Sequence, residues 1–332
     1  GPQSYHEINK TILDLEKNSK KINSTEFNVI DKFDKLNVIK NSDSKISSFL
    51  TIQEGCDKFC KFCVVPYTRG GEYSRSINEI VNEAKALAEN GAKEITLLGQ
   101  NVNAYNYQDK KLSNLIYEIA KIKDIERIRY TTSHPRDFSD DLIEAHGKCE
   151  KLMPLIHLPV QSGSNKILKS MNRKHTIENY LNIINKLKKV RPDIKFSSDF
   201  IIGYPGEKKK DFEKTIKLMK DVKFINSFSF VFNKRPGTPA ANLKKINDNI
   251  CKDRLKNFQD ISHKIKKNYR EKLLNTTSFV LFENLTKVRN SYFGRDEFYN
   301  SVIVTSNDNL IGKIKKIKII DINHNTMFGN IN

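Results

Sequence analysis

The sequence predicts an α/β protein in which a partial (β/α)6 barrel of the TIM type precedes a small all-β barrel. From Ser47 onward, short apolar runs alternate with amphipathic segments of roughly 12 to 16 residues, the pattern of repeated βα units around a parallel sheet. After about residue 273, apolar and polar residues alternate as they do in β-strands. We therefore expect an N-terminal remnant and linker over residues 1–44, the partial barrel over 45–272 and the all-β barrel over 273–332.

Six apolar runs are the predicted strands of the partial barrel, and they cover residues 49–52, 95–98, 128–131, 155–158, 196–202 and 228–232. Between them, residues 77–89 and 177–190 carry their apolar side chains on one helical face. A long polar helix is expected over about 247–274. Chemistry in such barrels lies at the carboxyl ends of the strands, where this sequence is rich in Gly, Pro and polar residues.

Composition and charge limit the classes of protein that fit this chain. No apolar run approaches the roughly 20 residues of a membrane span, and no secretory signal is present, so we expect a cytoplasmic protein with no membrane partner. The net charge of +19 favours a polyanionic partner such as a nucleic acid. Only 12 of the 58 basic residues are arginine, and a Lys-rich chain reaches such a charge without binding nucleic acid, so charge alone leaves both interpretations open.

The five cysteines do not form a disulfide framework, because their number is odd and no secretory signal is present. Cys149 and Cys251 are isolated and are expected to be inert thiols. Cys56, Cys60 and Cys63 form a C-x3-C-x2-C pattern directly after a predicted strand. Three such thiolates can bind three irons of a 4Fe-4S cluster and leave the fourth iron open. A structural zinc site needs four ligands, and no second pair lies at suitable spacing.

This cysteine spacing resembles the signature of the radical S-adenosylmethionine (SAM) superfamily. The resemblance implies that S-adenosyl-L-methionine chelates the open iron and that its reductive cleavage yields a 5′-deoxyadenosyl radical. In this class the metal and cofactor carry the difficult chemistry, while the protein positions and shields them.

Further motifs are similar to those of the methylthiotransferases that act on isopentenyladenosine in tRNA, and they cover residues 54–70, 98–105, 132–135, 157–164, 197–207 and 235–241. Sister branches modify threonylcarbamoyladenosine in tRNA or a ribosomal protein. The loop over residues 99–103 resembles the isopentenyladenosine branch more than either sister. The resemblance implies methylthiolation of C2 of N6-isopentenyladenosine next to the anticodon. An RNA-binding, cofactor-cleaving fragment without full turnover is the alternative.

The resemblance also implies which residues bind the cofactor. Gly70, Gly71 and Glu72 match a turn that meets the amino group of S-adenosylmethionine, and Arg173 matches a partner of its carboxylate. The remaining candidates are Gln161, Ser162, Ser198 and Asp199 for the ribose hydroxyls, with Ile201 and Gly203 for the adenine. A solvated loop remains the alternative for Glu72 and for Arg173. No catalytic residue is assigned beyond the cluster ligands, because histidines such as His134 and His157 are more often structural.

The last 60 or so residues resemble the TRAM-like RNA-binding module that ends this family. Basic residues that would bind phosphates are interleaved with aromatic residues that would stack on the bases of an anticodon stem-loop. The basic candidates are Lys287, Arg289, Arg295, Lys313 and Lys315. A solvated strand face over an aromatic core is the other interpretation.

Residues 1–6 resemble the end of the family's N-terminal domain, which carries three further cysteines that bind an auxiliary 4Fe-4S cluster. Cys149 and Cys251 are too few to replace them. We therefore expect a second cluster only in the full-length protein. The resemblance also implies an electron donor such as flavodoxin or ferredoxin, and we expect a monomer.

Overall fold

Of the first 44 residues, the structure describes only a segment that contains one helix. The structure, a computed structural model, describes residues 7–18 and 45–331. Residues Ile8–Asn18 form α1, whose Ile8 and Leu13 are both more than half exposed. The remainder of the expected linker lies outside the described residues, and the three domain boundaries stay a prediction.

Six parallel strands form the predicted partial barrel, and their order in space is their order in the chain. Two three-stranded parallel sheets, β1-β2-β3 and β4-β5-β6, are joined by a parallel bridge between Ile128 and Leu152. Among the strands that the structure describes, β1 and β6 are the two edges of the half-barrel. Their bounds are β1 (Ser47–Thr51), β2 (Glu94–Leu98), β3 (Arg127–Tyr130), β4 (Leu155–His157), β5 (Lys195–Ile202) and β6 (Asn226–Val231).

Helices cover the outside of the half-barrel and follow the strands in βα order. The described helices after α1 are α2 (Val65–Arg69), α3 (Ile77–Glu89), α4 (Leu112–Ala120), α5 (Asp140–Lys148), α6 (Asn165–Ser170), α7 (Ile177–Val190), α8 (Lys209–Val222) and α9 (Asp248–Glu271). Short 3-10 helices span Val102–Ala104, Pro135–Asp137 and Pro239–Asn242, and two-residue strands pair Gln53–Glu54 with Tyr73–Ser74 and Asn106–Tyr107 with Lys110–Lys111. Within the described ranges, no helix combines the length and apolar character needed to cross a membrane.

Alternation along the strands separates a core facing the helices from a lumen inside the half-barrel. Leu50, Ile95 and Phe200 are fully buried under the helices, and Phe200 contacts Phe258 of α9 at 4.7 Å between ring centroids. The intervening residues of each strand face the lumen, because successive side chains point to opposite faces of a sheet. The odd or even position of a candidate residue along its strand therefore decides whether its side chain faces the helices or the lumen.

A closed five-stranded barrel follows α9 and confirms the predicted all-β part. Its strand order is β7-β8-β9-β11-β10, with only the β9–β11 pair parallel. Val280, Val302 and Ile317 are fully buried inside it. The bounds are β7 (Thr277–Leu285), β8 (Ser291–Arg295), β9 (Ser301–Thr305), β10 (Ile314–Ile322) and β11 (Thr326–Ile331).

Two buried arginines of β3 join the half-barrel to this closed barrel. Arg127, 2% exposed, donates hydrogen bonds to the carbonyl oxygens of Phe279 at 2.7 Å and Arg295 at 2.9 Å. Arg129 donates to the carbonyl oxygens of Asp296 and Glu297, both at 3.0 Å. Since a guanidinium donates in a fixed planar fork, four bonds to backbone carbonyls define one orientation of the two barrels.

Candidate cluster and cofactor site

The three-cysteine loop follows β1 and packs tightly against the Gly70–Gly71 turn. Gly55 has a φ of +77°, and a Cβ at this position would overlap the carbonyl oxygen of Gly71. The backbone amide of Cys56 donates to the carbonyl of Gly70 at 3.2 Å. Only glycine adopts this positive φ readily and also lacks the Cβ that would overlap Gly71, which explains why glycine precedes the first cysteine.

Distant loops hold the cysteine loop in place through its backbone. The amide of Lys61 donates to the carbonyl of Met171 at 3.0 Å, and the carbonyl of Lys61 accepts from Ala240 at 2.9 Å. The side-chain amide of Asn172 donates to the carbonyl of Phe59 at 2.8 Å. These contacts come from loops more than 100 residues away, so the geometry of the thiols depends on the completed fold.

A charged network not foreseen from the sequence fixes the Glu72 side chain. The Lys58 ammonium lies 2.8 Å from the Asp137 carboxylate and 3.3 Å from that of Glu72, while the Asn101 amide donates to both carboxylates. Burial lowers the pKa of Lys58, but the hydrogen bond and charge of Asp137 outweigh it, so the net pKa is raised. The Glu72 carboxylate is thus engaged within the protein, while the Gly70 and Gly71 carbonyls adjoin the cysteine loop. A lysine inside the cysteine motif was the one sequence signal for this network.

Arg173 lies beside the thiols of the cysteine loop and is buried, which excludes a solvated surface role. Its guanidinium donates to the Cys60 sulfur at 3.5 Å and to the Pro159 carbonyl at 2.5 Å. Burial raises the pKa of Cys56 to about 12 and also raises that of Cys63, where the Arg173 charge opposes the rise. Because iron binds the thiolate, cluster binding at these thiols must release protons.

The ribose candidates on β5 lie on opposite faces of the strand. The fully buried Ser198 hydroxyl faces the helices, where it donates to the Leu158 carbonyl at 2.9 Å and accepts from the Val160 amide at 3.0 Å. Asp199 faces the lumen, with its carboxylate 3.4 Å from His157 Nε2. The Ser198 side chain therefore links β5 to the segment at the end of β4 by hydrogen bonds, and only Asp199 of the two is directed into the lumen.

The candidate residues in the loops after β4 and β5 also face either the lumen or the helices. Gln161 has a φ of +75°, uncommon for a residue with a side chain, and its backbone bonds both Asp199 and Ile201 at the carboxyl end of β5. The Ser162 hydroxyl instead faces α8, with Thr215 Oγ1 at 3.5 Å, and it accepts from the amide of nearby Ser164 at 3.2 Å. Gly203 has a φ of +72°, and a Cβ there would overlap the Cys251 sulfur. Gln161 and Ile201 thus join Asp199 at the lumen end, whereas Ser162 is structural.

Two further histidines lie near Arg173, with His134 buried and His175 partly buried, and their rings meet edge to face at 5.7 Å. Burial, followed by the Arg173 charge, lowers the pKa of His175 to about 4 and that of His134 far below its usual range. Both rings are therefore neutral at physiological pH. His134 Nδ1 accepts from the Arg136 amide, which leaves a proton on Nε2 as a donor.

The residues at this end of the half-barrel fit a cluster and a polar cofactor. Within residues 7–18 and 45–331, no group of three His, Cys, Asp or Glu is placed to hold a single metal ion. A 4Fe-4S cluster has no such requirement, because each thiolate binds a different iron. Buried polar atoms without a partner in the described chain offer hydrogen bonds to a ligand, namely Arg173 Nε, His134 Nε2, His175 Nε2, Ser133 Oγ and Asn101 Oδ1.

A cavity of about 290 Å³ lies in the lumen below this site, and we call it the lumen cavity. The rings of Phe49 from β1 and Phe228 from β6 border it, together with Leu155 and His157 of β4. Its far wall is Tyr299, from the turn between β8 and β9 of the closed barrel. The C-terminal barrel therefore contributes a residue to the interior of the half-barrel.

The basic candidates of the closed barrel do not form one patch. Lys287 and Arg289 are exposed at the tip of the β7–β8 hairpin, whereas Lys313 and Lys315 are exposed at the start of β10, opposite the middle of β7. The Arg295 side chain is partly buried, 3.5 Å from the Glu283 carboxylate and stacked 4.2 Å from the Tyr299 ring. Its side chain is thus engaged with residues of the closed barrel, and its backbone carbonyl accepts from Arg127 of the half-barrel.

Comparison with known proteins places this site in a class. The model of the radical SAM superfamily matches residues 50–219. Coproporphyrinogen III oxidase of Escherichia coli, a radical SAM enzyme, superposes with a TM-score of 0.50 at 14% identity, over 86% of this chain and 75% of its own. The radical SAM methyltransferase TsrM of Kitasatospora setae also gives 0.50, at 16% identity, over 58% and 38%. The half-barrel with its three-cysteine loop is thus a radical SAM fold.

Curated relatives narrow the class to one family. The tRNA-2-methylthio-N(6)-dimethylallyladenosine synthase of Pelagibacter ubique is 56% identical over 100% of this chain and 75% of its own length. The enzyme of that name from Ehrlichia ruminantium (strain Gardel) is 50% identical over 99% and 76%. The chain belongs to this family of radical SAM enzymes and spans about three quarters of the length of these relatives.

Proposed function

We propose that this protein is a tRNA methylthiotransferase that adds a methylthio group to C2 of N6-isopentenyladenosine next to the anticodon. The observation that carries the proposal is the identity of 50% or more, over essentially the whole chain, to relatives named for this product. The same chemistry is supported by the three-cysteine loop, in which Cys60 is buried and Cys56 and Cys63 are partly buried, and by the neighbouring arginine. When bound, the cluster and S-adenosylmethionine supply a 5′-deoxyadenosyl radical.

The roles of individual residues follow from their placement. We infer that Cys56, Cys60 and Cys63 hold the cluster and that the Gly70 and Gly71 carbonyls accept from the cofactor's amino group. Arg173 pairs with the cofactor's carboxylate, since its buried Nε is directed at no other group of the described chain. Asp199 accepts from a ribose hydroxyl. We propose that Ile201 and Gly203 border the adenine.

The substrate assignment is tested with three RNA stem-loops that differ only in the modified adenosine. We expect the protein, in a chain as long as its relatives, to form methylthio product on isopentenyladenosine RNA and none on unmodified RNA, as measured by mass spectrometry of digested nucleosides. Product on threonylcarbamoyladenosine RNA, or on a ribosomal protein, would assign a sister branch. Release of 5′-deoxyadenosine without product on any substrate would favour the RNA-binding, cofactor-cleaving alternative.

An auxiliary 4Fe-4S cluster is part of this proposal. Outside the loop, residues 1–332 offer only Cys149 and Cys251, and both are buried, at 7% and 3% exposure. We propose that these residues alone, tested in the same assay, release 5′-deoxyadenosine without forming methylthio product. Product from them would show that one cluster suffices. A flavodoxin or ferredoxin as electron donor and a monomeric state also remain proposals.

The exposed lysines of the closed barrel are proposed to contact the phosphates of the anticodon stem-loop. Removing the side chain that neutralises one phosphate should lower the slope of log affinity against log salt by about 0.7 to 0.9. We therefore expect a lower slope for Lys287→Ala/Arg289→Ala or for Lys313→Ala/Lys315→Ala, measured by fluorescence anisotropy from low to physiological salt. Lys209→Ala, on the exposed surface of α8, is the control. Unchanged slopes in both double variants would show that these faces are only solvated surface.

A further inference from the structure

The lumen cavity has a chemical character that differs from the site above it. The site at the carboxyl ends of the strands is lined by thiols, carboxylates and an arginine, whereas most of the cavity surface is apolar, with Arg129, Ser197 and Asn226 among its polar lining residues. Phe49 and Phe228 face it from the two edge strands and are 66% and 53% exposed. Aromatic rings turned to the inside of a half-barrel and left this exposed indicate a surface that an apolar group covers on binding.

The register places the cavity directly below the proposed cofactor residues. Phe228 pairs with Asp199, and the next lumen pair toward the cluster is Phe230 with Ile201. His157, at the same level, approaches Phe228 at 5.9 Å between rings. A base presented to the cluster end therefore has this cavity within reach of its substituents, one row of lumen residues away. Its volume of about 290 Å³ is enough for a branched five-carbon chain.

We propose that the lumen cavity binds the five-carbon dimethylallyl substituent on N6 of the target adenosine and thereby selects the prenylated RNA. The proposal rests on the proposed function, which supplies the substrate. Leu155 and the ring faces of Phe49 and Phe228 contact the branched chain, and Tyr299 closes the end of the cavity. The protein prefers the prenylated RNA because an adenosine with an unsubstituted N6 amino group leaves these apolar surfaces exposed to water.

Two variants and a matched control test this assignment. Leu155→Phe fills the cavity, and Phe228→Ala removes one of its walls. Phe230→Ala is the control, because Phe230 lies on the same face of β6, is 62% exposed and does not line the cavity. The measured quantity is the ratio of affinities for stem-loops that carry dimethylallyladenosine or adenosine at fixed salt. Cluster content and RNA-independent release of 5′-deoxyadenosine report whether each variant is folded.

We expect the unaltered protein to prefer the dimethylallyl RNA by at least tenfold, since one methylene in an apolar pocket changes affinity by about tenfold or more. Leu155→Phe and Phe228→Ala should lose most of this preference and keep their affinity for plain RNA, while Phe230→Ala keeps the preference. Full preference in both cavity variants, or no preference in the unaltered protein, overturns the inference. If product still forms on dimethylallyl RNA in that case, the proposed function stands. Absence of product from the unaltered protein, in a chain as long as its relatives, refutes the function itself.

Discussion

Cys56→Ala, Cys60→Ala and Cys63→Ala are each expected to abolish cluster binding after anaerobic reconstitution, measured as iron and acid-labile sulfide per chain. Three thiolates are the smallest protein ligand set that holds a 4Fe-4S cluster with one iron open, so two thiolates leave a second iron without a protein ligand. The loss of iron should be nearly complete, and release of 5′-deoxyadenosine should disappear with it.

Cys149→Ala and Cys251→Ala are the matched controls for the cysteine variants. Both thiols are buried in the structure, Cys149 in the core between the sheets and helices and Cys251 against Gly203. They are expected to keep one cluster per chain. Equal loss of iron in all five variants would contradict the assignment, because it would mean that reconstitution reports folding and not ligation.

Arg129→Ala is expected to destabilise the protein by about 3–5 kcal/mol, the range for breaking a buried ion pair. The Arg129 guanidinium donates to the Glu94 carboxylate at 2.9 Å, and the side chains are only 7% and 1% exposed. Removing it leaves the Glu94 charge and the carbonyls of Asp296 and Glu297 without these donors. Chemical or thermal unfolding measures the change, and we expect the two barrels to unfold in separate transitions once their connection is weakened.

Two further variants separate this effect from a general loss of charge. Arg129→Ala/Glu94→Gln should recover part of the lost stability, because the second substitution removes the buried uncompensated charge. Arg136→Ala, at an exposed position, should change stability by no more than about 0.5 kcal/mol. A loss in Arg129→Ala no larger than that in Arg136→Ala would show that the buried pair does not hold the barrels together.

Much of the fold was predictable because it depends on local patterns. The six apolar runs became the six parallel strands with ends shifted by one or two residues, and residues 77–89 and 177–190 became α3 and α7 as predicted. The long helix after β6 ends at Glu271, three residues before the predicted position. Periodicity reports the element and its buried face, whereas the ends of an element depend on caps and neighbouring loops.

Side-chain partners in the site were less predictable than the elements that carry them. Ser198 and Asp199 are adjacent in sequence, yet strand alternation directs one to the helices and the other to the lumen. Arg295 has the positive charge of a phosphate-binding residue, yet its side chain lies between Glu283 and Tyr299. A residue type states which bonds a side chain is able to make, and only its neighbours in space decide which ones it makes.

By itself, the sequence determined the class of cluster, the half-barrel and the closed barrel, because cysteine spacing and apolar periodicity are local properties. The tertiary structure decided the Lys58–Glu72–Asp137 network, the docking of the barrels through Arg127 and the entry of Tyr299 into the lumen. Arg127 and the carbonyl it meets at Arg295 are 168 residues apart, and no short motif encodes such a pair. These contacts exist only because packing of the apolar faces brings distant loops together, and the energy that selects them is the burial of the whole core.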